Sequence, residues 1–589
     1  MVVILKASVR ILGNFIENSK ELTKVLQRSY VNASGLSYIH KIGKSPLVYR
    51  TIGQELSRVV DKYPDHEIVV AVEESRRITY EELKRAADTL AGGLQCLGLS
   101  RGDRLGILAP NTTIWPIAMF AAARAGLIMV ALNPSHDCLQ LEFYLQKVGI
   151  KALITSESFQ GKNYYDKLLN LIPELTSSDP RNVQSKKFPC LTTVIIDSDK
   201  NFKGTFRAKD VMSMPAASQV NNIEDQQKDI SPDSGCSIQF TSGSTGEPKA
   251  ALLKHYAFVN SNLHIERMEL GGRKLCHHVP IFHAYGTEMG IMASVSHQAT
   301  IVIPSFTYKP EKSLLAIRNE KCTAILGTPA MYIDLVKIQR ELQLDINLEI
   351  AVTGGAVCSP QLFKDMKAVL GVKKLKTCFG MTEHTGFSFT TLPSDGYDQV
   401  HETVGQVQDH IEVKVTDRCG KLVPFGTAGE LWVRGYFTML RYWNDKETTR
   451  KTLGENGWLR TGDQFILQSN GYGKFVGRIT EMIVRDGEII FPKDIENLLV
   501  TFPQIAEAYI IGVPDDDLGQ EMCAFIRLRS AYSSLTAEDI MDYFKGNITD
   551  FPIPRYVEIV NEFPKTFSGK IPKYKLKQIF KEKYLKSSA

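Results

Sequence analysis

The sequence predicts an α/β fold: a large N-terminal domain of parallel-type sheets with helices, a small β subdomain near its end, and a smaller α+β domain at the C-terminus. Three observations carry this. Short apolar runs alternate with helical segments between Arg104 and Ile154, the pattern changes to short strands with Gly-rich turns from Ile411 to Val433, and the chain starts a new mixed pattern after Gly477-Arg478.

Taken in order, Arg104 to Ala109 reads as a buried strand ended by Pro110-Asn111, Trp115 to Ala125 as a helix, and Leu127 to Leu132 as a strand ended by Asn133-Pro134. The next helix carries Leu141, Tyr144, Leu145 and Val148 at i, i+3, i+4 and i+7, before the strand Ala152 to Ile154. This βαβαβ order implies parallel strands covered on both faces, with ligands outside their carboxyl ends. The stretches 171–190 and 216–235 are polar and read as loops or insertions. A second alternating block, Lys274 to Thr390, holds strands at Ala299 to Ile303 and Thr323 to Leu326 and a helix from Pro360 to Leu370. The last stretch of about 110 residues is long enough for a domain of its own. It reads as helix Pro492 to Thr501, strands Ala506 to Gly512 and Cys523 to Leu528, helix Ala537 to Phe544, and strand Val557 to Val560.

With 589 residues, 43% of them hydrophobic and 23% charged, the chain has a globular composition with ample core. A net charge of +5 without a sustained Lys/Arg stripe argues against a nucleic-acid groove and suits small anionic ligands. The ten cysteines form no Cys-x-x-Cys pair, which argues against zinc and against a disulfide framework. No run reaches the roughly 18 uncharged apolar residues of a membrane span. The nearest, Pro116 to Leu132, contains Arg124 and Gly126. Residues 1–34 hold Lys6, Arg10, Lys20, Lys24 and Arg28 among apolar residues and read as an amphipathic organelle presequence in preference to an ordinary N-terminal helix, although Glu17 and Glu21 are atypical of a presequence. The chain finishes Leu585-Lys586-Ser587-Ser588-Ala589, without a peroxisomal Ser-Lys-Leu address.

The stretch richest in chemistry is Thr241-Ser242-Gly243-Ser244-Thr245-Gly246-Glu247-Pro248-Lys249. Glycines let the backbone turn its N–H groups inward, hydroxyls add neutral donors, and a lysine supplies the charge that a polyphosphate needs. The Gly-x-x-Gly-x-x-Lys spacing is not that of the P-loop ATPases, and on composition alone a flexible linker is an equal reading.

Five further stretches follow in order: Pro280 to Gly286, Phe379-Gly380-Met381-Thr382-Glu383, Arg460-Thr461-Gly462-Asp463, Gly477-Arg478, and Pro564 to Lys570. Together with the loop they resemble the adenylate-forming superfamily of acyl-CoA synthetases, beetle luciferases and peptide-synthetase adenylation domains. Gly35 to Tyr38, Gly102 to Gly106 and Met482 to Arg485 bring the resemblance to the mitochondrial acyl-CoA synthetase family member 2 group. The resemblance implies a domain at 35–478, with a β subdomain about 405–475, and a mobile C-terminal domain at 479–589. It implies ATP and coenzyme A as substrates and Mg²⁺ as cofactor.

Residue by residue, the resemblance implies that Thr241 to Lys249 hold the β- and γ-phosphates. Thr382 would bond the α-phosphate and Glu383 would hold Mg²⁺. Phe379, with Gly380 following it, would stack on adenine beside the backbone of Gly354, Gly355 and Ala356. Asp463 would accept the ribose hydroxyls with Arg478 assisting, and Lys570 would bridge the incoming carboxylate and the α-phosphate. For the second half-reaction the C-terminal domain would swing about Thr480, presenting the Gly487 region to the coenzyme A channel, with His283 at its mouth. The blander alternatives are a half-buried structural histidine for His283, a cap for Glu383 and a turn for Asp463. His255, His264, His277 and His278 read as structural or surface residues, Lys565 and Lys573 as solvated charges, and Glu430 as a structural anchor.

Four positions depart from the family pattern: Ala250, Phe379, Arg441 and Thr480. If Ala250 needs φ > 0, alanine costs on the order of 1 kcal/mol there. Arg441 leaves its local turn uncertain. The neutral Thr480 bears on thioester formation more than on adenylation. The implied activity is an ATP-dependent ligase converting a fatty acid, medium-chain by resemblance, to acyl-CoA through an acyl-adenylate. A luciferase-like adenylating oxygenase and a non-catalytic nucleotide- or acyl-binding relative stay open at this point.

Overall fold

The computed structural model describes residues 30–31, 35–241, 247–354, 358–486, 488–515, 517–547, 552–565 and 571–585. Apart from Tyr30–Val31, the segment read as a presequence lies outside the described residues.

The predicted βαβαβ unit is present. Strand Arg104–Leu108 runs parallel to both Ile128–Ala131 and Ala152–Ser156, with helices Ile114–Arg124 and Cys138–Val148 between them in sequence. The second helix starts where Asp137 and Gln140 form a reciprocal capping box and ends where Gly149 turns left-handed at φ 63°. This sheet has eight strands. It continues through Gly235–Thr241, parallel to Ile128–Ala131, and then reverses direction into Lys249–Lys254 and the short strand Arg441–Tyr442.

A nine-stranded sheet lies beside it, its parallel centre built from Glu67–Ala71, Thr300–Ile303, Lys274–Cys276, Ala324–Gly327, Ile350–Thr353 and Lys374–Met381. The last of these turns back into antiparallel His384–Thr390. The third sheet has six antiparallel strands. It includes Ile411–Thr416, Ala428–Gly435, Leu459–Leu467 and Gly473–Arg478, and it also takes in Tyr38–Lys41, which pairs with Ile411–Thr416. Residues far apart in sequence therefore close the same sheet.

Helices Ile52–Val60, Tyr80–Cys96 and Ile114–Arg124 fill the largest core, shared by strands of all three sheets. Arg124, the charge inside the most apolar run, is fully buried at 0% exposure. It is paired with Asp88, with Glu224 at 2.7 Å, and with the Gly53 carbonyl at 3.0 Å. Glu224 sits on helix Ala217–Gln226, where the sequence suggests a loop. The helix buries only Ile223 and docks through ions, so apolar periodicity could not reveal it. Among the described residues no helix is long and apolar enough to cross a membrane.

Beyond Arg478 the chain forms a three-stranded sheet, Ile505–Asp515, Gly519–Leu528 and Tyr556–Ile559, with helices Pro492–Leu499, Ala537–Asn547 and Lys573–Phe580. Lys573, read as a solvated charge, is instead half-buried, with its ammonium 2.8 Å from Glu496 and 3.4 Å from Glu481. Glu496 is itself nearly inaccessible, and a carboxylate there requires a cation. All ten cysteines are free.

Candidate active site

The hydroxyl-rich loop is the connection of an antiparallel hairpin: Thr241, the last residue of its first strand, pairs with Lys249, the first of its second. Ser242 to Gly246 lie outside the described residues. Glu247 is exposed, and Pro248 and Lys249 are half-buried at the end of the loop. Ala250 is an ordinary strand residue, paired with Phe240 and 1% exposed. Its φ is not positive, so the strain expected for alanine does not arise. Arg441 likewise sits in a short exposed edge strand rather than a turn, paired with Leu252.

Thr382 and Glu383 form the two-residue turn between Lys374–Met381 and His384–Thr390, where Met381 pairs with His384. Gly380 precedes it at a bulge. A Cβ on Gly380 would stand 2.3 Å from the Gly386 carbonyl oxygen, so only glycine lets the two strands approach so closely. Phe379 is half-buried against Phe465 at 5.3 Å and Phe475 at 5.9 Å between ring centroids. Gly354 follows strand Ile350–Thr353, and a Cβ there would meet the Cys378 sulfur at 2.7 Å. Gly355 and Ala356 lie outside the described residues.

One segment fastens the loop hairpin to this turn. Thr385 donates its N–H to the Phe437 carbonyl and Met439 to the Glu383 carbonyl, while Leu440 donates to Leu252 and Trp443 to Ala250. Residues 437–443 therefore hold Thr382-Glu383 and Lys249 in one neighbourhood. Tyr442, 2% exposed, donates its hydroxyl to Glu383 Oε1 at 2.7 Å and carries the Lys249 ammonium over its ring at 5.3 Å.

Asp463 and Arg478 face each other on adjacent strands of the six-stranded sheet, with Arg478 Nε 2.8 Å from Asp463 Oδ1. Phe465 and Phe475, which touch Phe379, belong to these same two strands and join the pair to Phe379. Buried His384, next to Glu383, is held neutral: burial lowers its pKa to about 3, with the Arg478 charge adding to the effect.

His283 is half-buried and precedes a π-helix, Tyr285–Met292. Its Nδ1 accepts the Tyr285 N–H at 3.2 Å, and its carbonyl accepts the Gly286 N–H at 2.8 Å. Tyr285 and Phe387 meet edge to face at 6.3 Å, so this helix borders the strand that follows Thr382-Glu383. Glu288 accepts the Gly386 N–H across the same seam. Burial raises its carboxyl to about 8. His255, His277 and His278 are buried and are held neutral by desolvation, as structural histidines are, whereas the side chain of His264 lies outside the described residues.

Thr480 is exposed in the short 3₁₀ turn Ile479–Glu481. Gly487 and Lys570 lie outside the described residues. The structure thus brings together Thr241, Lys249, Thr382, Glu383 and Phe379 through direct contacts and shared segments, and links Asp463 and Arg478 to them. Tyr442 and Glu288 escape the sequence reading. The contact of Tyr442 with Glu383 is long-range and has no local mark in the sequence, and nothing in the sequence marks Glu288 as buried.

Among the described residues no group of three or more His, Cys, Asp or Glu side chains could hold a metal ion unaided. One or two carboxylates are the usual protein share of a Mg²⁺ site, where substrate phosphates and water supply the other ligands.

Residues 56–443 match the family model described as AMP-binding enzyme, and residues 494–570 match AMP-binding enzyme C-terminal domain. The chain is similar to the mitochondrial medium-chain acyl-CoA ligase ACSF2 of Danio rerio, 38% identical across 92% of this chain and 90% of that protein. The Mus musculus protein of the same name is 35% identical across 95% and 94%. Among solved structures, an anthranilate CoA ligase in complex with anthranoyl-AMP superimposes with a TM-score of 0.79 at 22% identity, covering 92% of this chain and 99% of that one. With two successive domain models matched in order and close relatives aligned over nearly the whole length, this chain belongs to the family of AMP-binding enzymes, in its acyl-CoA ligase branch.

Proposed function

We propose that this protein activates medium-chain fatty acids in the mitochondrion, using ATP and Mg²⁺ to form an acyl-adenylate and coenzyme A to convert it to the thioester. The observation that carries the residue assignments is the 437–443 segment, which fastens the Lys249 hairpin to the Thr382-Glu383 turn. Medium chain length and mitochondrial location are supported by the relatives' names and by the basic N-terminal residues. Among the three activities the family resemblance left open, those relatives favour the ligase.

In the first half-reaction a carboxylate oxygen attacks the α-phosphorus, a P–O bond forms, and the bond to pyrophosphate breaks. Both partners are anions, so positioning and charge neutralisation dominate. The loop 241–249 grips the β- and γ-phosphates, Thr382 donates to the α-phosphate, and Lys570 places an ammonium between the reacting oxygens. Glu383 would hold Mg²⁺, and the cation would supply charge neutralisation for the departing pyrophosphate. Phe379 stacks on adenine beside Gly354, and Asp463 with Arg478 holds the ribose. In the second half-reaction the coenzyme A thiolate attacks the acyl carbonyl and AMP leaves. A unit at 479–589 turns about Thr480 relative to a unit at 35–478, withdrawing Lys570 and presenting Gly487 to the thiol channel, whose mouth His283 gates.

The test is pyrophosphate release across fatty acids of increasing length, with and without coenzyme A, for the intact protein and Lys570→Ala. Coenzyme A-dependent turnover that peaks at medium chain length and collapses in the variant is expected. Turnover indifferent to chain length removes the substrate assignment, and full activity of Lys570→Ala removes the lysine's role.

A further inference from the structure

Tyr442 is the point at which two separately coded halves of the site touch. It lies on the edge strand Arg441–Tyr442, and its neighbours Leu440 and Trp443 donate to the Leu252 and Ala250 carbonyls of the loop hairpin. Strand alternation sends Arg441 outward and Tyr442 inward, where it is almost wholly buried. Its hydroxyl donates a hydrogen bond to Glu383 Oε1 at 2.7 Å. Its ring meanwhile lies beneath the Lys249 ammonium.

We propose that Tyr442 is a positioning residue for the metal-holding carboxylate: it pins one oxygen of Glu383, leaves the other for the cation, and ties that carboxylate to the lysine of the phosphate loop. This rests on the reading of Glu383 given above.

The chemistry suits the role. A carboxylate on a two-residue turn has free rotation about its side-chain bonds, and one strong hydrogen bond to a fixed phenol removes most of that freedom. A tyrosine phenol is ordinarily protonated near neutral pH, so it serves as a donor to the carboxylate. The aromatic face attracts the Lys249 ammonium without neutralising it, which keeps that charge for phosphate.

The experiment is calorimetric binding of ATP to the full-length protein, with Mg²⁺ and with a chelator, for wild type, Tyr442→Phe, Glu383→Gln and the double variant. Tyr442→Phe keeps the ring and removes only the hydroxyl. It is expected to weaken Mg·ATP binding about 10- to 100-fold while leaving metal-free ATP binding unchanged. In the Glu383→Gln background the same substitution is expected to add nothing, because the hydroxyl acts through that carboxylate. A purely structural tyrosine would weaken both forms of ATP equally, or add its full effect to the double variant, and either result overturns the proposal. If wild type binds ATP equally with and without Mg²⁺, the reading of Glu383 falls and the proposal with it. If wild type prefers Mg·ATP and Tyr442→Phe matches it, the proposal alone falls.

Discussion

Arg478 Nε lies 2.8 Å from Asp463 Oδ1, yet the two side chains are unequal partners: the aspartate is fully buried and the guanidinium is 40% exposed. Their strands are adjacent, and Asp463 lies opposite Arg478 in the register. Burial without a cation is far more costly for the aspartate than exposure without an anion is for the arginine.

Arg478→Ala is therefore expected to destabilise the protein by roughly 2–3 kcal/mol, because it takes the guanidinium away from a buried carboxylate. Asp463→Asn keeps the shape, removes the charge, and is expected to cost under about 1 kcal/mol while raising the KM for ATP about tenfold. Denaturant titration of both variants beside ATP saturation curves checks the asymmetry. Equal stability losses would contradict it.

Glu288 gives a pH prediction. Its folded carboxyl, at about 8, stands above the ordinary value of 4.5 because of burial, and the buried Cys236 thiol is the titratable neighbour that it influences. Between those two values the folded chain keeps a proton that the unfolded chain has released, so stability falls as pH rises from 4.5 towards 8. The full span is worth roughly 3–5 kcal/mol. Glu288→Gln has no such proton. Its stability relative to wild type is expected to climb between pH 5 and pH 8 by an amount of this order, read from denaturation midpoints, whereas a constant difference would show that Glu288 titrates normally.

Lys573 and Lys570 are expected to separate in their effects despite their closeness in sequence. Lys573→Ala leaves nearly inaccessible Glu496 without its 2.8 Å ammonium and is expected to cost about 3 kcal/mol. Lys570→Ala is expected to abolish adenylate formation with little change in melting temperature. Thermal melts and single-turnover pyrophosphate release on the two variants make the comparison.

Ala250→Gly restores the residue usual in the family. Because Ala250 is a buried strand residue with no positive φ, glycine there is expected to destabilise by about 1 kcal/mol through chain entropy and a lost methyl contact. Pyrophosphate release should be unchanged. A more stable glycine variant would mean that the strand is strained around alanine.

The parallel βαβαβ unit was readable because its strands are short apolar runs and its helices keep a strict apolar stripe, as Leu141, Tyr144, Leu145 and Val148 do. Helix Ala217–Gln226 was not readable, since it docks through Glu224 to Arg124 and Lys84 rather than through an apolar face. Lys573 was misread for a related reason: a charged residue in a lysine-rich stretch has no local mark of burial, and its partner Glu496 is distant in sequence.

By itself the sequence determined the fold class, the order of the family motifs and the chemical kind of each candidate site residue, because these depend on local periodicity and on residue type. Only the tertiary structure decided that Ala250 is unstrained, that Asp463 is buried against Arg478, that Glu288 is a desolvated acid and that Tyr442 reaches from Lys249 to Glu383. Those facts depend on strand register and on the 437–443 segment crossing between two sheets, and a contact between residues 59 positions apart, such as Tyr442 with Glu383, leaves no local pattern in the chain.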